Sequence, residues 1–357
     1  MNNLKKVGLT ALAGALVSFS ANAAELTVTG GASIGFTGEE KVDTGNGWSM
    51  NDGLTFAATT ELDNGMTVSV YYELDGGTYD DYNLKVGMGD MGTLQFGTDT
   101  GGVSYAYDEE VPQAYEQTSD ANQNSANIVG NQMDSNMIVY NSPSFDLGGA
   151  SISFDLEASP NANGNAANDG GLATYGNYGT GMGAGVTIKY DALTVGVYGA
   201  EIENNQAVAA SSANSSADAL KDVFEGVWYA KYSFGPVSIG YSESYQDQGL
   251  TGGATATTTA KTVRSANGIF ESETISIAFN VNDNLSVSYT ETEDTYDAQD
   301  NAATAVSDVT MDTDAMQIAY SMGGMSIKAY NMDTTNPGYD SDAASGSATE
   351  IALGLSF

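Results

Sequence analysis

Carboxylates are the only side chains in this sequence numerous enough to build a reactive or binding site, and they are unevenly placed. Between Thr98 and Asp134 lie Asp99, Asp108, Glu109, Glu110, Glu116, Asp120 and Asp134, with no Lys or Arg among them. Acids crowded into one connection and facing a confined aqueous path raise the local cation concentration, because low-dielectric walls focus their field. On an open surface the same acids would only keep a loop solvated. Asp312/Asp314 and Asp340/Asp342 form Asp-x-Asp pairs, but neither continues into the helix-flanked loop of twelve positions that a calcium hand requires, so no metal is expected. Glycoside hydrolysis needs two carboxyls about 5–9.5 Å apart around a sugar cleft, and nothing in the spacing provides them. No glycine motif precedes a helix to cradle phosphate, and no cofactor is expected.

Composition removes most other chemistry. The 357 residues contain no Cys and no His. That excludes disulfides, thiolate nucleophiles, imidazole bases, Cys/His zinc sites and Ser-His-Asp triads. The chain is therefore not read as an enzyme. A formal charge of −36 and one arginine, Arg264, exclude nucleic acid as a partner, since phosphate contacts dominate that affinity. Hydrophobic residues make up 41% of the chain, with 21 Tyr and 11 Phe, which is too much apolar surface for a disordered acidic chain.

The elements that must position the acids are strands. Residues 1–23 read as a secretory signal: Lys5 and Lys6, an apolar stretch from Val7 to Phe19, then Ala21-Asn22-Ala23 as a cleavage site. After it no apolar run reaches the 18 or so residues of a membrane helix. Strict apolar/polar alternation begins at Leu26, Val28, Ala32, Ile34 and Phe36 and recurs through Met66–Leu74, Val186–Tyr190, Leu193–Val197, Val237–Tyr241, Ile275–Phe279, Leu285–Tyr289 and Met316–Tyr320. Seven tight connections, at Asp63–Gly65, Gly89–Gly92, Phe145–Gly149, Asp191–Ala192, Gly235–Pro236, Asn282–Asn284 and Met322–Gly324, alternate with eight polar stretches near 37–53, 75–81, 98–134, 159–182, 202–222, 247–266, 292–312 and 333–347. That pattern joins sixteen strands, an even number able to close without an edge. A single all-β domain over 24–357 follows: a transmembrane antiparallel up-and-down barrel.

Which face carries charge decides between lipid and water outside. Glu61, Glu73, Lys85, Asp155, Glu157, Lys189, Glu225, Lys231, Lys328 and Glu350 all sit out of phase with the apolar set of their own strand. They are assigned to a wet lumen. Glu201, Glu243, Glu273 and Glu291 fall in phase, but beside long polar stretches, where a charge on the lipid side costs only about 0–1 kcal/mol. The remaining polar face is mostly Thr, Ser, Gly, Tyr and Gln, unlike the Lys/Glu exterior of a soluble sandwich. Aromatics gather at both strand ends: Tyr190, Tyr232, Phe234, Phe279, Tyr320 and Phe357 on the tight-turn side, and Phe36, Tyr72, Tyr241 and Tyr289 on the other. They form two candidate interfacial girdles. Ile351, Leu353, Leu355 and the terminal Phe357 complete the last strand, which is similar to the assembly signal of bacterial outer-membrane barrels.

With these features the chain resembles the sixteen-stranded general porins of Gram-negative outer membranes, especially the alphaproteobacterial branch. The likeness covers 24–357 and rests on this organisation, the strand Gly92-Thr93-Leu94-Gln95-Phe96-Gly97 and the loop after it. It implies a homotrimer of water-filled pores in the outer membrane, among lipid and lipopolysaccharide, passing small hydrophilic solutes and cations. It also implies that the third long loop, 98–134, folds inward as a constriction. On that reading Asp108, Glu109, Glu110, Glu116, Asp120 and Lys85 line the constriction, and Glu61, Glu73, Lys189, Lys231 and Lys328 line the wall. Tyr105, Tyr107 and Tyr115, with Val111 and Pro112, would pack the loop against the wall. The family usually sets a basic cluster opposite the loop; here the four lumen lysines are spread over four strands and Arg264 lies beside a long loop. Lys85, just before the strand leading into the loop, either faces the acids or pairs with a wall carboxylate such as Glu73. The competing readings are an exported acidic β-rich adhesin or surface-layer protein, and a solute-specific channel on the same barrel.

Overall fold

The computed structural model describes residues 25–39, 47–75, 78–98, 103–120, 137–160, 162, 178–204, 222–247, 249, 268–298 and 308–357. The signal segment 1–23, Asp99, Asp134 and Arg264 lie outside these residues, as do the side chains of Tyr105 and Asp120.

Among the described residues there are seventeen strands and only single turns of 3-10 helix. They are β1 (Glu25–Glu39), β2 (Trp48–Glu61), β3 (Thr67–Asp75), β4 (Thr78–Gly87), β5 (Thr93–Thr98), β6 (Met137–Asn141), β7 (Phe145–Leu147), β8 (Ala150–Ser159) and β9 (Tyr178–Tyr190). Then follow β10 (Leu193–Asn204), β11 (Val223–Phe234), β12 (Val237–Asp247), β13 (Gly268–Asn282), β14 (Leu285–Ala298), β15 (Val309–Met322), β16 (Met325–Thr335) and β17 (Gly346–Ser356). Every ladder is antiparallel and joins strands adjacent in sequence, except that β6 and β7 both pair with β8 rather than with each other, and β1 pairs with both β2 and β17. The sheet is a closed barrel, with Phe357 donating to and accepting from Gly30 at the seam, 2.9 and 3.0 Å.

The seventeenth strand is half of an interrupted one. β6 and β7 both pair with β8, so the barrel has sixteen positions. Pro143, which has no N–H to give the ladder, marks the break. There Ser142 closes the gap: its N–H donates to the Phe154 carbonyl at 2.8 Å and its Oγ accepts from the Phe154 N–H at 2.7 Å. The tight connection expected over Phe145–Gly149 is thus shorter, because Phe145–Leu147 is strand and only Gly148-Gly149 turns.

Burial is inverted relative to a soluble domain. Along β13 and β14, Ile275, Ile277, Phe279 and Tyr289 are exposed, while Ser272, Thr274, Thr290 and Thr292 are buried. On these strands apolar side chains face outward and hydroxyls face in, as lipid outside and water inside demand. A soluble adhesin would bury the opposite set.

Several strands run further than their apolar alternation. β14 continues to Ala298 and β15 starts at Val309, well inside the polar stretch expected at 292–312. Their ladder persists through Glu291↔Asp314, Glu293↔Asp312 and Tyr296↔Val309, where the outward residues have changed from apolar to acidic. Glu243, Glu273 and Glu291 belong to this outward acidic zone. Glu243 there accepts from Trp228 Nε1 at 2.9 Å and from the Tyr241 hydroxyl at 2.5 Å, an arrangement suited to aromatic rings at a membrane interface.

Candidate functional site

The third long connection leaves β5 and enters the barrel, and its described part, 103–120, is fastened to successive strands of the inner wall. The 3-10 turn Val103–Ala106 starts the crossing: the Val103 N–H donates to Glu157 of β8 at 2.8 Å. Tyr107 follows, donating to Asp155 at 2.8 Å and accepting from Thr187 of β9 at 3.2 Å. Its ring stacks on Tyr198 of β10, with centroids 5.6 Å apart, and lies 6.1 Å from Tyr229 of β11. Glu110 then pairs with Lys231 of β11. Pro112 passes over β12 and accepts from Ser276 of β13. The Ala114 N–H donates to Ser288 of β14 at 2.9 Å and the Tyr115 N–H to Gln317 of β15 at 2.8 Å. The Tyr115 hydroxyl reaches Glu350 of β17 at 2.5 Å, with the Lys328 ammonium 5.1 Å from its ring centre.

Two inward glycines make the crossing possible. A Cβ on Gly185 would collide with the Tyr107 ring, and one on Gly240 with Pro112. Bare backbone at these strand positions admits the loop to van der Waals contact. Tyr107 is fully buried as a result. Burial pushes the Tyr107 and Tyr115 phenols well above their ordinary range, and for Tyr115 the hydrogen bond and charge of Glu350 add to the rise.

The acids anticipated at the constriction take three different environments. Asp108 and Glu109 are buried between loop and wall. The Glu109 carboxylate accepts from the Thr118 N–H at 3.1 Å and folds the loop back on itself, while Thr118 meets Thr292 of β14 at 2.7 Å. Glu110 is held by Lys231. Glu116 is only partly covered, and its carbonyl accepts from Gln317 at 2.5 Å. Lys328 and Lys231 both serve to seat the loop.

Lys85 does not pair with Glu73. Register sets Lys85 opposite Ser69 and Gln95, whereas Glu73 stands opposite Thr55 of β2, four residues and about 13 Å further along β3. Both belong to β1–β5, which take none of the loop contacts set out above. Lys189 and Glu61 lie exposed near the tight turns. Reasoning from sequence missed Tyr198, Tyr229, Asp155, Ser276 and Gln317 as loop partners. Gly185 and Gly240, inward glycines inside strands, were the available signal.

The family model described as Gram-negative porin matches residues 8–307. No curated protein sequence matches the chain. Among solved structures, OmpF of Salmonella typhi in complex with daunomycin is similar at TM-score 0.66 and 12% identity, covering 94% of this chain and 98% of that one. An anion-selective porin from Comamonas acidovorans gives 0.63 and 13%, covering 94% and 100%. A trimer form of OmpT, an outer membrane protein of Vibrio cholerae, gives 0.59 and 12%, also covering 94% and 100%. The chain belongs to the Gram-negative porin family.

Proposed function

We propose that this porin is an outer-membrane channel for passive, energy-independent diffusion of small hydrophilic solutes and ions, that it prefers cations, and that it works as a homotrimer exported with cleavage after Ala23. The observation that carries the reading is the third loop fastened across a hydroxyl-lined interior, since a belt of this kind narrows a barrel without closing it. Diffusion through such a passage needs no catalytic group or cofactor.

Cation preference rests on the balance of inward charge. Lys85, Lys189, Lys231 and Lys328 face Glu61, Glu73, Asp155, Glu157, Glu225, Glu350 and the loop acids, and two of these lysines are engaged by Glu110 and Tyr115. Fixed negative potential along a narrow aqueous path enriches cations. Similarity to an anion-selective porin means that the barrel itself leaves the sign open; side chains set it. The test is the zero-current potential of the protein in a planar bilayer under a tenfold potassium chloride gradient. A cation-side potential is expected, and an anion-side potential overturns the preference. Migration of membrane-extracted protein as a trimer on an unheated detergent gel, collapsing to monomer on heating, checks the assembly.

A further inference from the structure

The wall that the loop leaves bare contains a recess of about 850 Å³ at the seam of the barrel, formed by β1, β2, β3, β16 and β17. Three hydrogen-bonded rows of inward residues make it. The middle row is bare at its centre, with Gly53 opposite Gly31 and Gly31 opposite Ser356, and it ends at Asp75 of β3, opposite Gly53. On one side of this floor runs a row of Asn51, Ser33, Gly354 and Ser326. On the other side run Thr29, Thr55 and Glu73. Alternate residues on a strand are about 6.6 Å apart, so the flanking rows stand about 13 Å from each other. Of the two acids lining the recess, Asp52 and Glu73, Glu73 is the one whose carboxylate lies over the floor. The Tyr71 hydroxyl donates to one of its carboxylate oxygens, and the other oxygen lies 3.5 Å from where a Gly53 Cβ would stand, over the glycine floor.

We propose that this trough docks a polyhydroxylated amine, an amino sugar being the simplest member of the class. A six-membered ring laid on the glycine floor puts its hydroxyls within reach of Ser, Thr and Asn on both sides, and its ammonium meets Glu73. Charge-assisted bonding to a carboxylate is about twice as strong as a neutral hydrogen bond, so the amine supplies orientation and the hydroxyls supply class. The recess falls within the usual 300–1,000 Å³ of small-molecule sites. The inference deepens the channel reading by naming a solute class, and it rests on that reading for its role in transport.

The test adds glucosamine to single channels in planar bilayers and to detergent-solubilised protein in a calorimeter. Concentration-dependent current interruptions and calorimetric binding are expected. N-acetylglucosamine and tetramethylammonium, which lack the charge and the hydroxyls respectively, should each bind at least tenfold more weakly. E73Q should weaken glucosamine at least tenfold and leave N-acetylglucosamine unchanged, and Gly53→Leu should abolish both while the barrel still migrates as folded. Tetramethylammonium matching glucosamine, or glucosamine binding unchanged in E73Q, overturns the proposal. Calorimetric binding without any channel current would instead sink the pore reading and leave the docking site standing.

Discussion

The two halves of the inner wall obey the same alternation yet end in opposite states. From β8 to β15 the inward face is packed against the loop like a protein core: Ile202 and Glu225 are completely buried, and Tyr198 and Tyr229 nearly so. Across β1 and β2 the inward face around the recess is Thr29, Gly31, Ser33, Gly53 and Thr55, too short to reach across the lumen, and it stays open. The difference lies in side-chain size. Inward glycines 185 and 240, set among large wall residues, form the slots that receive the loop's knobs, Tyr107 and Pro112; small residues on β1 and β2 form a smooth wall. The seating of the loop in this barrel is therefore decided by the wall as much as by the loop.

Removing the largest knob should break the comparison most severely. Tyr107→Ala deletes a fully buried ring with one stacked and one tilted aromatic neighbour and two hydrogen bonds. Losses of about 3–5 kcal/mol are usual for buried aromatics. Here the loss falls on loop docking, since the sheet ladder is untouched. Single-channel recordings should show a larger, noisier conductance. The matching change on the bare wall, Thr55→Ala, should leave conductance within experimental error. Filling a slot comes next. Gly240→Leu forces Pro112 off β12 at a cost of about 1–3 kcal/mol, the usual range for overpacking, and the same recordings should show intermediate widening. A Tyr107→Ala channel indistinguishable from the unaltered one would mean that the belt is held without its knobs.

The barrel was legible in the sequence because lipid imposes one requirement on every strand. Ile275, Ile277 and Phe279 alternate with Ser and Ala because one side meets hydrocarbon, and that alternation survives without knowledge of partners. It marks only where a strand crosses lipid. β14 and β15 continue to Ala298 and from Val309 because backbone pairing outlasts the apolar band, and Thr292 with Glu293 carries no period-two apolar signal. The loop's path was less legible for a different reason. Whether Glu109 faces solute or folds back on Thr118 depends on which wall residues it meets across separations of more than a hundred positions. Register, not composition, likewise puts about 13 Å between Lys85 and Glu73.

A smaller test concerns pH. The Tyr115 phenol is raised above its ordinary value of 10.0 by burial first and then by Glu350, so its protonated form is the docked one. Docking from this group is fully present below pH 10 and is lost as pH rises beyond it. Current noise should accordingly be constant between pH 6 and 9 and increase above about 10. Tyr115→Phe removes one hydrogen bond, commonly about 0.5–1.5 kcal/mol. It should raise the neutral-pH noise slightly and remove the Tyr115 share of the alkaline increase, leaving that of Tyr107.

The Glu110–Lys231 pair should matter least to docking and still be readable. Both side chains are about one-third exposed, and exposed pairs contribute about 0–1 kcal/mol, so E110Q should leave loop position and conductance nearly unchanged. Its effect is on charge. Losing the carboxylate also leaves the Lys231 ammonium as an unneutralised positive charge beside the loop. The zero-current potential under a salt gradient should shift toward the anion side in E110Q and return most of the way in E110Q/K231M, because the double variant deletes both charges together. Reversal without rescue would indicate a moved loop. An unchanged potential in the single variant would place this pair away from the ion path and leave selectivity to the bare wall, where Glu73 is the next carboxylate to neutralise.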